Sequence, residues 1–180
     1  PGLQGGPQLH SIAGIAVALE EAQTKEFKTY TKQILKNAAT LASELAKRDF
    51  KILTGGTDSH LILADIRNKQ PDGLIAAQIL ENVDIVINKN PIPSDEPGIH
   101  TPPWRPYGIR LGTPAVTTRG MKEPEMKLIA ELIDEALSLK KFEPKTLASK
   151  IDAQLSKNDH ISAIRDRVHE LTDKFPIYSD

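Results

Sequence analysis

Apolar residues at Phe27, Tyr30, Ile34, Ala38, Leu41 and Leu45 recur at steps of three and four. That spacing puts them on one stripe and predicts a long amphipathic helix over 25–48. Upstream, SIAGIAVALEEAQ over 11–23 is rich in Ala, Leu and Glu and predicts another helix. Pro7 stands near its first turn, where a missing N–H costs nothing. The period then changes. Residues 50–53 alternate as a short strand, TGGTD over 54–58 reads as a hairpin-like turn, and HLILADI over 60–66 fits a strand covered on both faces. A short helix over 73–82, a strand over 84–88 and a glycine-bounded strand, GIRLG, over 108–112 follow. TTRG over 117–120 is a turn into a helix over 122–140. Leu147, Ile151 and Leu155, and then Ile161, Ile164, Val168, Leu171 and Phe175, mark two closing helices.

Strands interleaved with helices and followed by helices predict an α/β fold, a small mixed sheet with helices packed on it. Between Lys89 and Tyr107 the chain is dense in proline and holds its single tryptophan, Trp104. A loop of that length in a compact domain is usually functional or disordered. A net charge of −1 gives no electrostatic case for nucleic acid or an anionic membrane surface. The longest apolar stretch, residues 12–19, falls short of the roughly 20 residues that a bilayer span needs. The chain has no cysteine, which suits a reducing compartment, and a cytoplasmic location is expected. It opens on Pro1, and PGLQGGPQLH has the character of mid-domain sequence, so the C-terminal portion of a longer protein is expected.

Few residues carry candidate chemistry. Gly5 and Gly6 let the backbone approach a ligand closely, and the helix after Pro7 aims free N–H groups at the same point. That is an anion site, most naturally for a phosphate, or else a tight turn before a helix. Arg110 is a charge in an apolar strand. It calls for a partner, either a ligand carboxylate taken through two parallel hydrogen bonds or an internal acidic side chain. Arg119, in a turn before a helix, is expected to tie to loop carbonyls or an acidic group. Asn88, Lys89 and Asn90 end a strand, where amide donors can face a pocket or simply build a turn. The five histidines show no metal-ligand spacing, and neither a metal site nor a Ser-His-Asp set is expected.

Four segments in order, PGLQGGPQLHSIAGIAVALEEA, TGGTDSHLILADI, IVINKNPIP and YGIRLGTPAVTTRGM, resemble the C-terminal part of the serine hydroxymethyltransferase family. The resemblance runs from Pro1 through the helix ending near Lys140, with a weaker helical tail. It implies the small C-terminal domain of a fold-type I, aspartate aminotransferase-like enzyme over 23–180. Residues 1–22 would be the end of the large cofactor-binding domain and the interdomain helix. It implies pyridoxal phosphate as cofactor, tetrahydrofolate as co-substrate, interconversion of serine and glycine, and a homodimer or a tetramer. Gly5 and Gly6 would reach the cofactor phosphate of the neighbouring subunit, and Arg110 would bind the substrate carboxylate. Asn90, Pro103 and Trp104 would line the folate site. The Schiff-base lysine lies upstream of the QGGP motif in this family, so this segment alone is expected to be inactive.

The chain departs from the family pattern in its long proline-rich loop, in Tyr107 where a small hydroxyl residue usually precedes GIR, and in Ile15 where a basic residue is common. Two other readings stand beside the first. One is a folate-independent, threonine-type aldolase of the same fold. The other is a small-domain protein that binds a partner or a small anion without catalysis.

Overall fold

A computed structural model describes residues 2–3, 5–95 and 104–177. The helices are α1 (Leu9–Glu21), α2 (Lys25–Ala46), α3 (Gly73–Glu81), α4 (Pro114–Thr118), α5 (Glu123–Ser138), α6 (Ala148–Leu155) and α7 (Asp159–Asp173). The strands are β1 (Lys51–Ile52), β2 (Leu61–Asp65), β3 (Asn88–Asn90) and β4 (Gly108–Gly112). Local chemistry sets the helix starts. Thr24 Oγ1 accepts from Phe27 N, Asp72 accepts from Ile75 N and Asn158 accepts from His160 N, each supplying a partner to an amide that the first turn leaves unpaired. At α5, Glu125 accepts from Lys122 N at 2.7 Å, and Glu123 and Glu125 place negative charge at the positive end of the helix dipole.

The strands form one sheet in the order β1-β2-β4-β3. The expected small sheet with helices packed on it is present, and the mixed pairing narrows to antiparallel at every junction. Alternation decides the faces. Ile62, Ala64, Ile109 and Leu111 are buried and meet Leu41, Leu45, Ile75, Ile79 and Ile133 in the core. Helices α2 and α3 lie against the sheet, α5 packs on both, and α6 and α7 pack on α3 and α5. The opposite face carries Leu61, Leu63 and Arg110 and has no helix over it among the described residues, so β2 is covered on one face rather than two.

The strand expected over 84–88 is displaced to Asn88–Asn90. Asp84 adopts a left-handed conformation (φ 59°), and the amides of Val83, Asp84 and Ile85 close back on the end of α3. Ile85 and Ile87 then pack on the core without ladder bonds, and Val86 is exposed. The turn expected at 117–120 begins as helix α4, with Pro114 in its first turn, and reverses at Gly120.

Asn37 is the one buried polar side chain of α2. It donates to Thr117 Oγ1 (2.8 Å) and Met121 O (2.9 Å) and accepts from Gln33 (2.9 Å), bracing α2 against the α4–α5 turn. Asn37→Ala leaves those acceptors dry and is expected to cost about 2 kcal/mol, read as a lower urea midpoint at unchanged slope.

Candidate functional site

β4 carries Arg110 because the strand's alternation sends Ile109 and Leu111 into the core and leaves residue 110 on the open face. Its cross-strand neighbours are Leu63 on β2 and Asn88 on β3. The side chain lines a cavity of about 820 Å³ with Leu53, the 54–59 loop, Leu61, Leu63, Asn90 and Pro93. A second cavity of about 350 Å³, walled by Leu41, Ile85 and Val116, is lined by Asn88 and Arg110 as well. Among the described residues the Arg110 guanidinium has no ion pair and no hydrogen bond. The internal salt bridge left open by the sequence is therefore absent there, and a half-buried cation faces an open cavity with all its N–H donors available.

The wall opposite is held by its own bonds. Thr54 (φ 64°) and Gly55 (φ 74°) are both left-handed, a conformation that the threonine adopts at some cost. Thr57 Oγ1 accepts from Ser59 N (3.1 Å) and donates to Leu61 O (2.6 Å). This loop reads as a plain turn in the sequence, and its part in the cavity appears only once β2 folds beside β4. Asn90, half-buried at the end of the edge strand, lines the same cavity as Arg110.

The other expected residues lie elsewhere. Gly5 and Gly6 line a separate cleft of about 310 Å³ with Pro7, Gln8 and His10 at the start of α1. A Cβ on either glycine would meet nothing within 4 Å, so no contact among the described residues requires them to be glycine. No hydrogen bond among the described residues engages their amides, and the first turn of α1 carries no acidic residue and no side-chain cap. Exposed amides at an uncapped helix start are a donor set that fits a phosphate approaching from outside. Trp104 is 62% exposed and does not line the Arg110 cavity, and Pro103 lies outside the described residues. Arg119 donates to Phe175 O (2.8 Å) and Thr172 O (2.6 Å), the expected tie to carbonyls. Among the described residues no group of three or more His, Cys, Asp or Glu side chains converges to hold a metal.

Two charged clusters lie outside the sequence reading: one joins residues far apart along the chain, and the other brings Lys51 from β1 to a pair only two residues apart. Arg105 joins Asp72 (2.7 Å) to Thr146 O (2.7 Å), pinning the residues before β4 to the start of α3. At the end of β2, Asp65 accepts the Arg67 guanidinium (2.6 Å), with Lys51 at 3.6 Å. Burial pushes the Asp65 carboxyl up, but the Arg67 side chain and amide outweigh it and hold the pKa below the ordinary carboxylate value. A depressed folded pKa stabilises above the unfolded value, and that stabilisation is lost as pH falls through the folded one. Asp65→Asn is therefore expected to flatten the acid limb of a urea-midpoint profile as pH falls through and below the ordinary carboxylate range. An unchanged limb would assign acid sensitivity to other carboxylates.

Among the described residues, no helix is long and apolar enough to cross a membrane. A family model described as serine hydroxymethyltransferase matches residues 1–133, which takes in the whole sheet and most of α5. The chain is 43% identical over 179 residues to the serine hydroxymethyltransferase of Myxococcus xanthus (strain DK1622), an alignment that covers 99% of this chain and 38% of that protein. The chain thus spans well under half the length of the curated relative it matches.

Proposed function

Because the chain belongs to the serine hydroxymethyltransferase family, we propose that it is the C-terminal part of a pyridoxal-phosphate enzyme that interconverts serine and glycine with one-carbon transfer to tetrahydrofolate. The observation that carries this reading is Arg110, a half-buried cation without a partner among the described residues, set in a cavity beside Asn90. Its planar fork takes the carboxylate of glycine or serine through two parallel hydrogen bonds and fixes the orientation of the Cα bonds. Asn90 offers amide donor and acceptor groups to the folate; for Pro103 and for Trp104, which is exposed outside this cavity, the support for a folate role is the family resemblance alone. The exposed amides of Gly5 and Gly6 hold the cofactor phosphate of a neighbouring subunit, which makes the working unit a cytoplasmic homodimer or a higher assembly. Pyridoxal phosphate, when bound, supplies the electron sink for the charge that develops at Cα.

In this reading residues 1–22 complete a large cofactor domain, residues 23–180 are the small domain, and the Schiff-base lysine lies on the upstream chain. The support for that division is α1, whose apolar residues find no burial among the described residues. This segment without the upstream chain is then inactive.

The test uses the full-length protein loaded with pyridoxal phosphate and glycine, its visible spectrum recorded with and without tetrahydrofolate. A long-wavelength band that grows strongly only with folate is the expected result. Cofactor binding without any folate response would overturn the assignment in favour of a folate-independent aldolase.

A further inference from the structure

The two strands that flank the Arg110 cavity are joined at one end by a single carboxylate. Asp95 Oδ2 accepts from Ile92 N (2.9 Å), just after β3, and from Tyr107 N (3.1 Å), just before β4. Its own amide donates to Ile92 O (2.8 Å), and its other oxygen is buried without a partner among the described residues. Arg67 backs this brace from the end of β2. Its guanidinium pairs with Asp65, donates to Ser94 Oγ (3.2 Å) and lies over the Tyr107 ring at 5.0 Å. Below them Ile92 is 4% exposed and seats on Gly108 so closely that a Cβ there would lie 2.4 Å from its Cγ2.

β3 is the part of the site most dependent on such a brace. It is an edge strand of three residues, pairs with β4 alone, and carries Asn90 at its last position, opposite Gly108. Arg110 sits differently: β4 is a central strand, paired on both sides. The two site residues are thus held by different means, Arg110 by the sheet and Asn90 by what fastens β3.

We infer that Asp95, backed by Arg67, is a positioning residue that sets Asn90 against Arg110 and thereby governs the hold on the second substrate, not the amino acid. The inference rests on the folate role proposed above for Asn90. Asp95 touches neither substrate. It acts through the backbone amides of Ile92 and Tyr107, so a side chain that keeps one carbonyl oxygen at the same point performs the same task without the charge.

The experiment measures glycine and tetrahydrofolate affinities separately by calorimetry on the full-length holoenzyme. Asp95→Ala is expected to weaken folate about tenfold while glycine stays within about twofold, and Asp95→Asn is expected to restore folate binding. Arg67→Met, which strips the backing group but leaves Asp95, is expected to show the same selective loss to a smaller degree. It serves as the second variant if Asp95→Ala does not fold. Parallel loss of both affinities with a falling melting temperature would reduce the brace to general stability and overturn the inference. Unchanged folate binding in both Asp95→Ala and Arg67→Met would overturn it as well. A wild-type enzyme that binds glycine and no folate would remove the reading on which it rests, a result distinct from either variant's failure.

Discussion

Arg110→Lys in the full-length protein is expected to lose about a hundredfold in glycine affinity while its denaturation midpoint stays where it was. The two halves of that result have separate causes. Lysine keeps the charge but replaces a rigid planar fork with a compact ammonium, which cannot give a carboxylate two parallel hydrogen bonds. The stability is indifferent because Arg110 has no intramolecular partner to lose, among the described residues, and its backbone stays in the same ladder. An arginine engaged in an internal salt bridge would behave in the opposite way, costing stability on substitution because a buried carboxylate is stranded. Near-normal glycine affinity in Arg110→Lys, measured by calorimetry or by spectral titration, would sink the carboxylate assignment.

The largest effect on the fold itself is expected from Gly73→Ala. The first residue of α3 lies against the backbone leading into β4, with its amide donating to Pro106 O at 2.6 Å. A methyl group there would lie 2.3 Å from Gly108 O and 3.0 Å from Pro106 O. These are main-chain atoms in a sheet and at its entrance, so neither can swing aside as a side-chain tip would. The helix start or the strand must shift, and the disturbance reaches the Arg105–Asp72 pair that meets at the same corner. We expect Gly73→Ala to cost about 3 kcal/mol, the upper part of the range for overpacking a closed interior, read as a lower urea midpoint. A cost below about 1 kcal/mol would show that the corner is looser than these distances describe.

What could be read from the sequence, and what could not, follows from the range of the interactions involved. The α2 stripe and the β4 alternation are local periodicities, and both appear within a residue or two of their expected bounds. The strand misplaced at 84–88 failed for an identifiable reason. Its apolar run says that Ile85 and Ile87 face the core, which they do, but Asp84 turns the chain so that no neighbour is in register until Asn88. Arg110 stood out because a charge in an apolar strand needs an explanation, and which explanation applied depended on whether an acid from elsewhere reached it. Asp65 is likewise a charge in an apolar strand, and its partners are internal. They are Arg67 two residues away and Lys51 from β1. The loop over 54–59 offered no such signal. Its threonines and glycines are ordinary turn residues, and only the crossing from β2 to β4 makes them a cavity wall.

Helix α1 has one last consequence. It buries none of its 13 residues, and Leu9, Ile12, Ile15, Val17 and Leu19 all lie exposed. A helix of that length has little standing in water without a surface to pack on. The amide hydrogens of residues 13–21 should therefore exchange with solvent deuterium fast wherever this face is bare and slowly wherever something covers it. The buried amides of β2 and β4 report only on global opening. Two clocks thus run in one chain: exchange in α1 times the covering of its apolar face, and exchange in the sheet times unfolding. A substitution that bares that face without melting the sheet would quicken the first and leave the second alone.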